Sequence, residues 1–455
     1  LQEGRVFFSE EEKQKTFAFY SETPVEVFLM SEALKDDEWD KATRNTITDE
    51  DIERGRLLLG VDVANNHREY VQTLTYDNIR NFAHGCGNDN PLHCDPSYGR
   101  RTRWGDVIAP GMMIGTVNAP LRGDPMPAEL KAKMKGLFRG IHVFVSGSDW
   151  EWFRPAYPGD TIYSFSGQES LEVKTSEFAG RSVIRVNRHV KMNQRGEVIA
   201  TYRVLMILTE RKTAREKGKY AEIKPAVYDD AEIAKIDAIY AQERVRGAAP
   251  LLWDDIAIGD SLGTMAKGPL TVTDVMCFHA GGYGFWPYAP AAGRIGYKNR
   301  QRIPGFYIKN QYGVPDVAQR LHWDDSWAQA IGNPMAYDYG VMRENYLYHY
   351  LTDWCGDTGI VLKLHDEVRK FNYMGDTQII TGEVTAKREE VGRKLVDVDV
   401  RMTNQRGQET LKATATVALP AQPDSAVVFP AVPIDLQQRA LDMFARHCAL
   451  GDGAS

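Results

Sequence analysis

The sequence contains no apolar run approaching the roughly 18 to 20 residues that a helix needs to cross a bilayer, so no membrane partner is expected. Its opening stretch, LQEGRVFFSEEEKQ, lacks the basic and apolar regions of a secretory signal, which points to a cytoplasmic location. Cysteine is scarce. The five present, Cys86, Cys94, Cys277, Cys355 and Cys448, are odd in number and form no CxxC pair, which argues against both a disulfide framework and a cysteine-based zinc site. Basic charge is not in excess: 55 Lys and Arg against 62 Asp and Glu give a formal net charge of −7. Nucleic acid is therefore not an expected partner, and any anion site must be local. Core material, by contrast, is ample. Apolar residues make up 43% and aromatics 10% of 455 residues, too long a chain for one ordinary core, so two or three ordered domains are expected.

Internal similarity organises the chain. The segment HCDPSYGRRTRWGDVIAPG from His93 to Gly111 aligns without gaps with HWDDSWAQAIGNPMAYDYG from His322 to Gly340, an offset of 322 − 93 = 229 residues. His93 pairs with His322, Asp95 with Asp324, Ser97 with Ser326 and Gly111 with Gly340. Farther on, Pro158, Gly159, Asp160 and Thr161 recur as Met374, Gly375, Asp376 and Thr377, and NQRGE at Asn193 recurs as NQRGQE at Asn404. Upstream, TYDNIRNFAHGCG from Thr75 is matched by LTVTDVMCFHAGG from Leu270. Similarities that keep one order read as a duplication.

Each copy follows one succession: a helical lead-in, an apolar helix (near Gly111 to Leu121 in the first copy), then strand-like runs. The runs TIYSFSGQESLEV, RSVIRVNRHVKM and EVIATYRVLMIL are answered by TQIITGEVTAKR, KLVDVDVRMTN and TLKATATVAL, with PGD and NQRG as turn signals. The pattern fits the α+β class, an antiparallel sheet wrapped around a helix. It divides the chain into an N-terminal domain over 1–209, a charged linker over 210–250, a C-terminal domain over 251–420 and a tail over 421–455. An insertion over 284–321, rich in Pro, Gly and aromatics, occupies an interval that in the first copy is only Asn88 to Leu92. A lid or interface element and a packed surface insertion are both open.

The first copy carries AHGCGNDNPLHCDPSYG from Ala83 to Gly99. Asn90-Pro91 is a turn-former that fixes the backbone and holds neighbouring side chains at a set angle. A histidine five residues after a hydrogen-bonding side chain can converge with it on one substrate, and imidazole moves protons near neutral pH. The stretch resembles the MaoC-like acyl dehydratases and R-specific enoyl-CoA hydratases, whose signature is G-D-x-N-P-[LIV]-H on a hot dog fold. Gly87, Asn90, Pro91, Leu92 and His93 match, and APGMM from Ala109 is similar to the start of the family's central helix. The resemblance implies a double hot dog fold, two antiparallel sheets each wrapped around a central helix. It also implies reversible addition of water to a 2-enoyl-CoA, R at C3, with an acyl-CoA substrate, no metal or redox cofactor, and a homodimer.

Roles follow from the same resemblance. His93 becomes the proton-transfer residue, and the Gly111 N–H, behind Pro110, holds the thioester oxygen, where a helix start offers unpaired N–H groups and positive potential. The family's aspartate falls at Asn88, and Asp89 stands at the variable position. An amide cannot accept a proton as a carboxylate does. Three readings stay open: His93 or Asp89 carries the base role, this half binds acyl thioesters without turning them over, or the asparagine is an engineered replacement of the acid. A hot dog thioesterase is the rival within enzymes. Asp89, Asn90, His84 and Pro110 are candidate substrate contacts, and Arg100, Arg101 and Arg103 form a local basic cluster for coenzyme A phosphates or an ordinary solvated face. In the second copy Gly281, Gly282 and Tyr283 stand in place of the N-D-N-P turn, so His322 is expected to pack; the resemblance implies that this half buttresses the other. The insertion's aromatics Phe285, Trp286, Tyr288, Phe306, Tyr307 and Tyr312 are compatible with a bulky acyl chain or with packing.

Overall fold

A computed structural model describes residues 46–138, 141–176, 180–210, 223–284, 293–302, 304–330 and 333–451. The alternating runs of the first copy form β1 (Asp62–Ala64), β2 (His142–Trp152), β3 (Tyr163–Ser176), β4 (Gly180–Met192) and β5 (Val198–Thr209). The second copy forms β6 (Ser261–Lys267), β9 (Ile360–Val368), β10 (Gln378–Glu390), β11 (Arg393–Asn404) and β12 (Glu409–Leu419), with a separate hairpin of β7 (Tyr307–Lys309) and β8 (Pro315–Val317). The ten long-sheet strands lie in the order β1-β3-β4-β5-β2-β9-β12-β11-β10-β6. The order is palindromic under the duplication: β1 answers β6, β3 answers β10, and β2 answers β9.

The two expected sheets are therefore halves of one sheet, joined where β2 pairs antiparallel with β9. At this seam Ser148 lies opposite Asp366 and Trp150 opposite Leu364. Gly147 opens it. A Cβ at that position would stand 2.0 Å from the Asp366 carbonyl oxygen, so the backbones can approach only with glycine there.

The repeated turn signals work through repeated hydrogen bonds. Asp160 Oδ2 accepts from the Tyr157 N–H at 2.9 Å, and its counterpart Asp376 accepts from the Tyr373 N–H at 3.0 Å. Asn193 Oδ1 closes the first NQRG turn on the Arg195 N–H at 3.0 Å, as Asn404 Oδ1 closes the second on the Arg406 N–H at 3.1 Å. The lead-in helices α1 (Tyr76–Gly85) and, later in the chain, the one over Val272–Phe278 both start in a reciprocal capping box, Thr75 with Asn78 and Thr271 with Asp274.

The central helices differ, which corrects the expectation of one in each half. In the second half Gly340–Cys355 is an uninterrupted sixteen-residue helix that ends at Gly356, where φ is +68°. In the first half only a 3-10 helix over Gly111–Thr116 forms, in place of the apolar helix expected to Leu121. Pro120, Pro125 and Pro127 follow it, and proline lacks the N–H and clashes with the preceding turn. Beyond Thr116 the chain runs extended instead, with Val117 bridged to Val71 and Ala119 to Tyr163. Buried Asn118 holds this path, its amide donating to the His67 carbonyl at 2.7 Å.

In chain order the helices used below are α1, α2 (Pro91–Cys94), α3 (Asp230–Tyr240), α4 (Val272–Phe278), α5 (Gly340–Cys355) and α6 (Ile434–Ala449). The segment expected as a C-terminal tail contains α6, which packs Leu436, Ala440 and Met443 against Phe165, Val190 and Val198 of the first half. Within the charged linker, α3 leads to Glu243, whose carboxylate accepts from the Ala266 N–H at 2.7 Å. The insertion is packed in part: Phe306 and Tyr307 join Trp327, Tyr337 and Tyr373 in a satellite core, while Ile295 and Tyr297 of the helix over Gly293–Arg302 and Tyr312 at the hairpin turn are exposed. Phe285, Trp286 and Tyr288 lie outside the described residues. Among the described residues no helix is long and apolar enough to cross a membrane.

If the seam is set by close backbone approach, Gly147→Ala must push β2 and β9 apart. We expect a loss of about 1–3 kcal/mol, the usual range for overpacking, read as a lower urea midpoint. An unchanged midpoint would show that the seam yields without cost.

Candidate active site

The turn before His93 is built by two asparagines in series. Asn88 Oδ1 accepts from the Asn90 N–H at 2.9 Å, and Asn90 Oδ1 accepts from the Leu92 N–H at 3.0 Å, capping α2. Pro91 follows in the first turn, where a missing N–H costs nothing. His93 is thereby fixed in the next position, buried to 2% exposure. Its Nδ1 lies 2.8 Å from the Ile108 carbonyl, which can only accept, so Nδ1 carries the hydrogen. Nε2 is then a lone-pair acceptor, buried and without a hydrogen-bond partner among the described residues. Burial pushes the imidazole down to about 4, against the pull of the Ile108 carbonyl and of Asp353. At neutral pH His93 is a neutral base.

His93 stands on the wall of a narrow cleft with room for about 40 Å³. Asn90 and Ile108 line it from the first half, Tyr348 and Thr352 from α5, and Phe429 from the segment before α6. Gly111 starts its 3-10 helix next to the same α5 turn. A Cβ there would stand 2.7 Å from Trp152 Nε1 and 2.8 Å from the Tyr348 ring. Burial raises the Tyr348 phenol, and the nearby Gly111 N–H partly offsets that. The N–H expected to hold a thioester oxygen thus lies near a hydroxyl that stays protonated.

Beneath Asn90 lies a buried polar chain from the second half. Asn90 Nδ2 donates to Asp353 Oδ1 at 3.1 Å, and Asp353 Oδ2 is 3.0 Å from His349 Nε2. His349 Nδ1 is 2.9 Å from Lys267 Nζ at the end of β6, and that ammonium also donates to the Gly87 and Cys86 carbonyls at 2.9 and 3.3 Å. Burial lowers both Lys267 and His349.

The candidates from sequence separate accordingly. Asn90 and His93 line the cleft; Asn88, buried, shapes the turn; Pro110 and Gly111 are buried behind Tyr348 and Trp152. His84 and Asp89 are exposed and do not line the cleft, nor do Arg100 and Arg101. Arg103 is spent on the Thr358 and Val427 carbonyls and on the face of Trp104, a structural engagement rather than an open anion site. Missed by sequence were Tyr348, His349, Asp353 and Lys267. The i, i+4 pair His349 and Asp353 on an unbroken helix was the available signal. His322 repeats the posture of His93, its Nδ1 2.8 Å from the Tyr337 carbonyl, fifteen residues on in both copies. It is buried against Tyr339, with ring centroids 3.6 Å apart.

Comparisons with known proteins bear on this geometry. Residues 62–202 match the family model of the FAS1-like dehydratase domain region. A probable enoyl-CoA hydratase alpha subunit of Thermomonospora curvata is 28% identical over 159 residues, which cover 32% of this chain and 49% of that protein. The match thus spans about half of the relative's length. A solved MaoC-like dehydratase superposes with a TM-score of 0.52 at 14% identity, covering 80% of this chain and 98% of that one, a likeness of fold. A putative MaoC domain dehydratase of Chloroflexus aurantiacus covers 80% of this chain and 96% of its own at 13% identity and a TM-score of 0.47.

A neutral buried histidine makes stability depend on pH with a definite sign. His93 and, in the second half, His279 are held at about 4, whereas an unfolded chain titrates near 6.5. Below roughly 6.5 the unfolded state binds protons that the native state refuses, so stability is full above that pH and declines toward pH 4. His93 alone should contribute about 3 kcal/mol to the decline. Urea midpoints between pH 7 and pH 4 test this: His93→Gln should flatten part of the slope, and an identical slope would exclude a buried neutral imidazole.

Proposed function

We propose that the chain, which is similar to MaoC-like hot dog dehydratases and hydratases, adds water reversibly to a 2-enoyl-CoA thioester in the His93 cleft. The observation that carries this reading is His93 itself: a neutral imidazole on the cleft wall, its Nδ1–H pinned and its Nε2 lone pair unused. In the hydration direction the water oxygen bonds to C3 while one water proton passes to His93 Nε2. The C2–C3 π pair moves onto C2 and, through conjugation, the thioester oxygen. In this scheme the Tyr348 hydroxyl, on the cleft wall, donates to that charge, and the Gly111 N–H behind it supports the hydroxyl. His93 then returns its proton to C2, and the reverse sequence is the dehydration. Asn88 takes no proton in this scheme; it orders the turn that aims Asn90 and His93.

The experiment supplies a panel of 2-enoyl-CoAs and 3-hydroxyacyl-CoAs separately and follows both interconversion and free thiol. His93→Ala should lower hydration by roughly 10²- to 10⁴-fold, the range for positioned proton transfer. Tyr348→Phe should lower kcat by roughly 10²-fold with KM little changed, as for loss of one oxyanion donor. Free coenzyme A without hydration would replace the reading with a thioesterase. Tight acyl-CoA binding with no turnover would make the chain a binding subunit.

A further inference from the structure

Resting on the hydration reading above, we propose that Asp353 of the second half is the positioning carboxylate of the centre. Held between Asn90 and the His349–Lys267 pair, it stabilises the imidazolium that His93 becomes when it takes the water proton, a task the amide at position 88 cannot perform.

The geometry is specific on each side of Asp353. Its Oδ1 accepts from Asn90 Nδ2 at 3.1 Å, and Asn90 is a cleft-lining residue three positions before His93. Its Oδ2 faces His349 Nε2 at 3.0 Å, one helical turn back on α5. With Lys267 Nζ as the donor at 2.9 Å, His349 Nδ1 accepts and its Nε2 carries the hydrogen beside Asp353 Oδ2 at 3.0 Å, without a formed hydrogen bond between the two. Asn90 donates to Asp353 from one side and Lys267 to His349 on the other, so the Asp353 carboxylate is the acceptor on which the cluster converges. Lys267 is also clamped on the Gly87 and Cys86 carbonyls, so the chain closes on the backbone of the motif loop it serves.

Burial gives this chain leverage. Asp353, His349 and Lys267 are 7%, 3% and 9% exposed, in a region where charges are poorly screened. The groups whose field reaches His93 directly are Asp353 and His349, on α5; Asp353 favours the imidazolium and His349 opposes it. Lys267 on β6, with Glu243 before that strand and Asp89 on the motif loop, acts on His349 in turn. When water protonates His93, the proton stays on Nε2 until it is delivered to C2; Asp353 gains none. An acid at position 88 would supply a similar charge from the loop itself, which makes the two positions interchangeable in this one respect.

Four proteins test the proposal: the chain as given, Asp353→Asn, Asn88→Asp, and the two changes together. Asp353→Asn should lower kcat by roughly 10²-fold, the lower end of what positioned proton transfer contributes, with KM little changed. It should also move the acidic limb of the kcat/KM profile to lower pH. Asn88→Asp should recover most of that kcat in the double variant. A double variant as impaired as Asp353→Asn alone, with the acidic limb unmoved, would reduce Asp353 to a packing role and overturn the proposal. Should Asp353→Asn fail to fold, His349→Gln cuts the link to Lys267 while leaving Asp353 in place, and no change in the acidic limb would count against the chain. Should none of the proteins hydrate any enoyl-CoA, the hydration reading fails. Titration of the His93 ring resonances then decides the placement by itself: a lower midpoint in Asp353→Asn supports it, and an unmoved one overturns it.

Discussion

The pairing of β2 with β9 is the constraint on which the rest depends. Without it the chain would be two small α+β units with independent interiors. With it, a single core runs from Met112, Met113 and Trp152 of the first half through Met342, Leu347 and Leu351 of α5 to Val396 and Leu411 of the second. Each such side chain contributes about 1.5–3 kcal/mol by leaving water, so the shared core ties the halves more strongly than the strand hydrogen bonds do. It also brings the last turns of α5 against the motif loop of the other half, where Tyr348, Thr352 and Asp353 meet Asn90 and His93.

The register of that pairing is specified by polar contacts. Ser148 donates to Asp366 Oδ2 at 2.6 Å directly across the seam. Burial raises Asp366 to about 6 and raises Glu344 of α5, which packs near it. A two-residue slip would keep every side chain on its own face but leave this acid without its hydroxyl, costing about 1–3 kcal/mol. Hydrophobic burial holds the seam, and Ser148 with Asp366 selects one alignment of it.

Much of the architecture was legible because duplication repeats function-free detail. The PGD and NQRG turns recur because Asp160 and Asp376, Asn193 and Asn404 close the same hydrogen bonds, so their spacing marks the strand ends in both copies. The helix after Gly111 was misread, since the apolar run GMMIG has helical spacing and the prolines that stop it lie a turn beyond. In the site, His93 and Asn90 could be found because their roles depend on local turn chemistry. Asp353 could not, because its partner is 263 residues away and no spacing rule reaches across a seam. The arginine cluster shows the converse: Arg103 lies near the motif in sequence, yet its guanidinium is committed to backbone carbonyls of the other half.

The two copies have diverged in complementary directions. The first has the asparagine-proline turn and an imidazole whose Nε2 lacks a partner among the described residues, but in place of a long central helix it has an extended path through Val117 and Ala119. The second keeps the unbroken helix but fills the corresponding place around its own histidine with Tyr339, Trp323 and His279. Neither half therefore has all the parts that the other could once have duplicated. The two halves meet across the seam, the first bringing the motif loop with Asn90 and His93 and the second the helix with Tyr348, Thr352 and Asp353. A duplicated chain can shed redundant pieces in this way only if its halves never separate. One ten-stranded sheet with one core, in place of two docked domains, is the arrangement that makes such separation as costly as unfolding.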